Sequence, residues 1–366
     1  MPYCHKRVLS FLLTTKCNLA CKYCYGMRKI EYRKLDINFA KCAVDEFITN
    51  GIVDRIRFFA DGEPTTEFEL MKEIYEYAVK ANPKIKAEIQ TNGVFNETVA
   101  DWLAMNMDEI WISMDLLPDT NDINRVTRLG QPTSPLIEKT LRYLNSIENK
   151  RAMVGVRGTI TVENIDRQIE GIDYFADNFN VRHIWVDPIF PPVDSSEKTI
   201  EEISMMHFAV KFVEAHRYAD KKGTFYESNF TTNFDGETDR NCRSCVPMPH
   251  ITTDGYVSAC EMASVGKEPG HMDVFIYGKY DKENNKIIYN QDRIRILQSR
   301  NLHNLPDCQL CIARKHCAGY CPGETQNENK NLFRIKDKVC VPLRYIYSEI
   351  GQDYKKHNGE FEHKHP

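Results

Sequence analysis

The sequence predicts an α/β fold: a partial barrel of six strand–helix units, followed by a smaller cysteine-rich region. Three observations predict it. Strand-like and helix-like segments alternate from residue 1 to about 190, a pattern that requires parallel strands joined by helical crossovers. The alternation stops after six units. That is too few to close an eight-fold barrel and leaves an open one, with ligands expected at the C-terminal ends of the strands. After about residue 225 the helical periodicity gives way to Cys, Gly, Pro and short hairpin signals, and eight of the 13 cysteines fall there.

The elements follow in order. RVLSFLL (7–13) is an apolar strand. Residues 36–51 read as a helix: Asp36 is the N-cap, Ile37, Ala40, Val44, Phe47 and Ile48 share one face, and Gly51 stops it. A strand at 55–60 leads to a helix at 66–81, opened by a Thr66-x-x-Glu69 capping box and striped by Leu70, Ile74, Tyr77 and Ala81. Strand 84–93, helix 96–107, strand 109–115 and helix 134–148 come next. Strand 152–161, helix 163–179, strand 181–188 and a last helix at 199–222 complete the series. Residues 277–289 form a hairpin around Glu283-Asn284-Asn285. The expected domains are a barrel at 1–225, a cysteine-rich domain at 226–350 and a polar, frayed tail at 351–366.

The chain has 366 residues, 42% hydrophobic and 27% charged, enough for one large domain and a smaller one of ordinary globular composition. A net charge of −4 gives no sign of a nucleic-acid or membrane partner. No apolar run reaches the roughly 18 residues that span a bilayer, and Val8 to Thr15 is too short for a signal-peptide core. A cytoplasmic location is the expectation. There, cysteines bind metal or do redox chemistry more often than they form structural disulfides. The first 34 residues carry eight Lys and Arg against Glu31 alone. They read as a solvated face, or as an attraction for an acidic redox protein or peptide.

TTKCNLACKYCYG (14–26) places Cys17, Cys21 and Cys24 just after the first strand. A structural zinc would recruit a fourth ligand nearby. The next thiol, Cys42, falls in the predicted helix at 36–51, on its polar side. An iron–sulfur cubane held by three cysteines keeps one iron open instead. A zinc knuckle or a redox dithiol is the alternative that these residues alone allow. The histidines show no H-E-x-x-H spacing, and there is no Walker loop, G-x-S-x-G elbow or dinucleotide fingerprint.

With Tyr23 before the last cysteine, this spacing resembles the radical S-adenosylmethionine (SAM) superfamily, in which the open iron chelates the amino and carboxylate groups of SAM. The resemblance implies a partial (β/α)6 TIM-like barrel. Residues 60–64, with Gly62, Glu63 and Pro64, look like the family's Gly-Gly-Glu-Pro loop, which meets the SAM amino group; Asp61 stands in for the first glycine. Gln90 and Asn92 end the third strand. Ser113 and Asp115 end the fourth and resemble residues near the SAM ribose and carboxylate. Arg157 on the fifth matches a position that pairs with the SAM carboxylate in related maturases, and Tyr23 is expected against the cofactor.

Cys245-x9-Gly255-x4-Cys260, then Cys308-x2-Cys311-x5-Cys317-x3-Cys321 and Cys340, look like the SPASM extension of radical SAM enzymes, which holds two auxiliary [4Fe-4S] clusters. By that family's interleaved pattern, Cys242, Cys245, Cys260 and Cys321 hold one, and Cys308, Cys311, Cys317 and Cys340 hold the other. Full ligation suits electron transfer. Glu261 follows Cys260 where related sulfatase maturases place a general-base Asp, and a base beside an electron acceptor lets proton and electron leave together. Cys4 and Cys42 are left as ordinary thiols.

The resemblance covers about residues 8–345 and implies three [4Fe-4S] clusters, SAM, and a 5'-deoxyadenosyl radical that abstracts hydrogen from a peptide or protein. The auxiliary clusters would accept an electron, and a flavodoxin- or ferredoxin-type protein would be the reductant. Only 16 residues precede Cys17, so no leader-recognition domain is expected before it, and a separate leader-peptide-binding protein becomes a candidate partner. Two rival readings stand beside this one: oxidation of a small molecule such as an amino sugar or aminocyclitol, and a non-catalytic iron–sulfur electron carrier.

Overall fold

The computed structural model describes residues 6–24, 31–59, 61–189, 201–264, 270–335 and 337–357. Strand β1 (Val8–Leu12) is buried at all five positions, as a central parallel strand covered on both faces must be. The chain then runs through α1 (Ile37–Val44), β2 (Arg55–Phe59), α2 (Phe68–Ala81), β3 (Lys86–Thr91), α3 (Glu97–Asn106) and β4 (Glu109–Ser113). It continues through α4 (Pro118–Asn124), α5 (Ser134–Ser146), β5 (Met153–Ile160), α6 (Gln168–Phe179), β6 (His183–Pro188), α7 (Met205–Lys221) and β7 (Phe225–Glu227). Strands β1 to β7 pair in parallel, in sequence order. This is the open barrel that the alternation predicted, with β7 added where the composition changes.

The later strands extend the same sheet. They are β8 (His250–Ile251), β9 (Tyr256–Ser258), β10 (Ile276–Asp281) and β11 (Lys286–Tyr289). β8 pairs in parallel with β1, and β9, β10 and β11 follow antiparallel. The expected hairpin is β10–β11, its turn fixed by Asn285 at φ 47° and by Asn284 bonded to Asp281. Four helices complete the chain: α8 (Gln291–Ser299), α9 (Arg314–Cys317), α10 (Pro322–Asn329) and α11 (Asp337–His357). Residues 351–357, expected as frayed tail, belong to α11. Buried Ile346 and Ile350 anchor that helix, and Tyr354 donates a hydrogen bond to Glu227. None of the described helices is long and apolar enough to cross a membrane.

Local expectations met mixed outcomes. Asp36 caps α1, accepting from the Asn38 amide, and a wider π turn at Asp45–Thr49 carries the helix on. Cys42 is not on a polar face: it is buried against the hairpin, 3.4 Å from the Asn285 carbonyl. The Thr66–Glu69 capping box does not form. Pro64 starts a 3₁₀ turn capped by Glu63, Thr66 Oγ1 donates to the Glu63 carbonyl, and α2 begins at Phe68. Tyr77 and Ala81 are half-buried against the core, Tyr77 with its hydroxyl bonded to Asp45, while Met71, Tyr75 and Ala78 join Leu70 and Ile74 as the fully buried positions. The last barrel helix, expected from 199, begins at Met205, capped by Ser204; residues 199 and 200 lie outside the described residues. Helix α4 has too polar a sequence to show periodicity, and was not foreseen.

Strand alternation sorts chemistry from packing. Ile56, Phe58, Ile89, Ile110 and Val156 pack under the helices in one continuous core. Arg57, Glu88, Gln90 and Arg157 face the other way, and in register Arg57 stands beside Glu88 and Ser113 beside Arg157.

Candidate functional site

The Cys17–Cys24 segment leaves β1 and is clamped on both flanks. On one side the Gly62 and Glu63 amides donate to the Thr14 and Lys16 carbonyls. A Cβ on Gly62 would lie 2.0 Å from the Lys16 carbonyl oxygen, so only glycine lets the loop approach this closely. On the other side the Ala20 and Lys22 amides donate to the Val126 and Asn124 carbonyls, and Arg128 Nε donates to the Cys17 carbonyl at 2.7 Å. The three thiols lie within electrostatic reach of one another, and burial pushes Cys17 to about 11 and Cys21 to about 12. Burial thus favours the protonated thiols of Cys17 and Cys21, and metal binding must release those protons.

Glu63 is buried and saturated. It accepts from the Thr65 amide and hydroxyl, the Thr91 hydroxyl and the Asn92 amide. It therefore ties the 61–64 loop to the end of β3, while Pro64 starts the turn behind it. Asn92 in turn donates to Asn18 Oδ1 at 2.7 Å and lies 3.9 Å from Cys17 Sγ. Asp61 explains its own departure from glycine: its carboxylate accepts from Ser264 Oγ at 2.8 Å, joining the barrel to the chain just past Cys260.

Tyr23, Asp115 and Arg125 form a second unit. The Tyr23 hydroxyl donates to Asp115 Oδ2 at 2.5 Å, Arg125 Nε donates to Oδ1 at 3.0 Å, and the guanidinium covers the Tyr23 ring. The Thr159 amide also donates to Asp115 Oδ1. Asp115 is 1% exposed and its oxygens are taken. It anchors Tyr23 and Arg125 beneath the cysteine segment rather than offering a free carboxylate. Ser113 sits one step back on β4, also buried.

A polar strip crosses the barrel interior. Glu261 accepts from Arg57 Nη1 at 3.1 Å. Gln90 Oε1 accepts from both Arg57 Nη2 and Arg157 Nη1, at 2.8 and 3.0 Å. Arg157 lies over the Trp185 ring and 3.6 Å from Asp187, which accepts from Asn229 and Ser228 beyond β7. Desolvation works against the Glu261 carboxylate, but Arg57, buried His250, Arg243 and Arg157 outweigh it and hold it down to about 2. Neither Arg57 nor Arg125 belongs to a motif visible in the sequence. The available signal was Arg55-x-Arg57 alternating inside an otherwise apolar strand, since charges there are buried only when paired.

The other thiols fall into two sets. Cys260 lies within electrostatic reach of Cys242, Cys321 of both Cys242 and Cys260, and Cys245 of Cys242. A Cβ on Gly323 would sit 2.9 Å from Cys260 Sγ and 3.8 Å from Cys321 Sγ, so that glycine opens the space between them. Cys308, Cys311, Cys317 and Cys340 line a cavity of about 260 Å³ together with Arg314, Tyr320 and Arg344. Cys317 and Cys321 diverge because Ala318, Gly319 and Tyr320 all take positive φ (44°, 85° and 56°). That conformation costs an L-residue about 1–2 kcal/mol. Among the described residues no three His, Cys, Asp or Glu are drawn together as for a single metal ion. Four thiols around a cavity are the donor set of an iron–sulfur cluster, so the residues of the Cys308 set fit such a group. Cys4 lies outside the described residues.

Comparison with known proteins agrees with this geometry. Residues 11–167 match the Radical SAM superfamily. An uncharacterized protein of Methanocaldococcus jannaschii is 30% identical over 182 residues, 49% of this chain and 61% of its own. The Fe-coproporphyrin III synthase of Methanosarcina barkeri is 28% identical over 165 residues, 44% of this chain and 38% of its own. The chain thus spans less than two thirds of these curated relatives. In fold it is similar to native anSMEcpe with bound AdoMet, that is SAM (TM-score 0.77, 15% identity, 96% and 99% of the two chains). Streptococcus suis SuiB bound to its precursor peptide SuiA is also similar (TM-score 0.65, 17% identity, 92% and 76%). Residues 11–167 of this chain thus form a domain that matches the Radical SAM superfamily, set in a fold like that of native anSMEcpe.

Proposed function

We propose that the chain holds a [4Fe-4S] cluster on Cys17, Cys21 and Cys24 with SAM at the open iron, and removes a hydrogen atom from a C–H bond of a peptide or protein. The sorting of thiols carries this reading: three at the end of β1, and eight in two sets of four. When bound, the cluster and SAM supply a 5'-deoxyadenosyl radical by one-electron reductive cleavage.

The chain's own residues bind, orient and move the proton. Gly62, Glu63 and Pro64 shape the loop beside Cys17, with Asn92 at its edge. Tyr23, held by Asp115, walls the cofactor space, with Ser113 behind it. Gln90 and Arg157 offer donors and acceptors at the strand ends for the SAM carboxylate or the substrate. Glu261, ionised and aimed by Arg57, accepts the proton when the product is oxidised. Cys242, Cys245, Cys260 and Cys321 would hold one auxiliary cluster and Cys308, Cys311, Cys317 and Cys340 the other. Full ligation of both suits them to take the departing electron. Residues 1–225 and 226–350 then divide the labour as barrel and SPASM domain.

Two observations support a peptide: the solved structures similar in fold to this chain include SuiB with its precursor peptide and anSMEcpe with the Cp18Cys peptide. A small-molecule reading has its own support in the likeness to Fe-coproporphyrin III synthase. Anaerobic reconstitution tests the class. About twelve irons per chain and SAM cleavage on reduction, lost in Cys17→Ala, are expected; zinc in place of iron and no cleavage would overturn it. Deuterium carried into 5'-deoxyadenosine from a labelled peptide pool, but not from labelled tetrapyrrole precursors of Fe-coproporphyrin III or labelled amino sugars, selects the peptide.

A further inference from the structure

Arg300 ends α8 and is 1% exposed, among the most deeply buried large side chains of the protein. Its Nε donates to the Leu332 carbonyl at 2.8 Å and its Nη2 to the Gly319 carbonyl at 2.7 Å. Its Nη1 is buried with no hydrogen-bond partner among the described residues. No described carboxylate forms an ion pair with it. An unpaired buried guanidinium costs several kcal/mol, so this one calls for an anion that protein atoms do not provide.

The location indicates which anion. Gly319 is the middle of the three positive-φ residues that send Cys317 to one set of thiols and Cys321 to the other, and it lines the cavity of the Cys308 set. A Cβ on Gly319 would stand 3.4 Å from Nη2 and 3.6 Å from Nη1, so the guanidinium packs against the crossover between the two sets. Its charge reaches one thiol of each, Cys245 and Cys308. At Cys245 it is the foremost charge; at Cys308 it ranks behind two neighbouring thiols.

We propose that Arg300 is a shared counter-charge for the two auxiliary cluster sites, donating from Nη1 to a cluster sulfur and raising the reduction potential of both clusters. This rests on the reading that both sets hold [4Fe-4S] clusters. A four-thiolate cluster gains a negative charge on reduction, and a fixed positive charge in a dry interior favours that state. Net charge and hydrogen bonds to sulfur are among the factors that set such potentials. A cation between the sites therefore makes them better acceptors for an electron leaving the substrate. Arg300 touches no reacting atom and acts by positioning charge.

Redox titration followed by electron paramagnetic resonance tests this. The full chain is reconstituted in a Cys17→Ala background, which isolates the auxiliary signals. Arg300→Gln is expected to lower the equilibrium constant for one-electron reduction at the Cys245 site at least tenfold, about 59 mV. A smaller drop is expected at the Cys308 site, and Arg300→Lys should keep most of the wild-type value. Full iron loading in Arg300→Gln with both potentials unmoved would overturn the proposal. So would an Arg300→Lys shift as large as that of Arg300→Gln, which would assign the effect to packing. If Arg300→Gln loses its iron, ¹⁵N-arginine labelling decides. A nitrogen coupling to the reduced cluster in the Cys17→Ala chain, absent in Arg300→Lys, supports the proposal, and its absence from the arginine-containing chain refutes it. Absence of all auxiliary iron from the unmutated chain would overturn the cluster assignment itself, and this inference with it.

Discussion

Arg57 on β2 donates to Glu261 at 3.1 Å, across 204 residues of chain. The pair fixes a carboxylate next to Cys260 over the barrel interior, and Gln90 extends the link to Arg157. If Glu261 takes the substrate proton, Arg57 and Glu261 act as a unit. Glu261→Gln should leave SAM cleavage within a few-fold and reduce product by about a hundredfold or more, the usual worth of a general base. Arg57→Met should lower product in the same direction, and the double variant should be little worse than Glu261→Gln alone. Chromatographic yields of 5'-deoxyadenosine and of product, taken together, check this. Full product yield from Glu261→Gln would remove it from the proton path.

Gly62 makes a local prediction about the first site. The missing Cβ is what lets the 61–64 loop lie on the Lys16 carbonyl. Gly62→Ala must push the loop off the cysteine segment, while the thiols beyond residue 240 are untouched. Iron analysis should find about eight irons where the parent chain binds about twelve, with SAM cleavage lost. Equal loss of iron from all sites would show general misfolding instead.

The strand–helix alternation, the hairpin and the cysteine spacings were legible because each is a local pattern, read over a few residues. The interior strip was not. Arg57, Gln90, Arg157 and Asp187 stand on four strands, and nothing in a single strand says which inward charges will meet. Arg300 was equally silent, since its role depends on Gly319 and Leu332 arriving from separate segments. Tyr75 and Tyr77 show a finer limit. Two residues apart, they lie on different faces of the helix: Tyr75 is buried, while Tyr77 packs its ring on the core and turns its hydroxyl out to Asp45. The capping box at Thr66 failed for a related reason: Glu63 satisfies the first amides before the helix begins.

Asp61 tests whether the exchange of a glycine for an acid is structural. Its carboxylate is 5% exposed and holds Ser264, so it ties the loop of the first site to the segment carrying Cys260 and Glu261. Asp61→Ala leaves the Ser264 hydroxyl without this acceptor and should cost about 1–3 kcal/mol. Asp61→Asn keeps an acceptor and should cost less. Denaturant midpoints of the two variants at equal slope measure the difference. Equal midpoints for Asp61→Ala and the parent chain would show that the contact carries no stability.

Glu227, at the end of β7, gives the fold a pH dependence of its own. Burial raises its carboxyl from 4.5 to about 7, with Asp235 adding to the rise and Thr231, Tyr354 and Lys6 opposing it. The folded chain therefore holds a proton that the unfolded chain has released between about pH 4.5 and 7. Stability from this group is complete below the lower value and falls as pH climbs through the upper one. At 1.36 kcal/mol per unit the loss is at most about 3 kcal/mol. Glu227→Gln keeps an acceptor for the Thr231 and Tyr354 hydroxyls and has no proton to lose. Near pH 5 the two chains should melt within a degree or so of one another. By pH 8 the Gln variant should melt higher by several degrees, following the usual conversion of about 2–4 °C per kcal/mol. A melting difference that stays constant from pH 5 to 8 would mean that Glu227 ionises in the folded protein as it does in water.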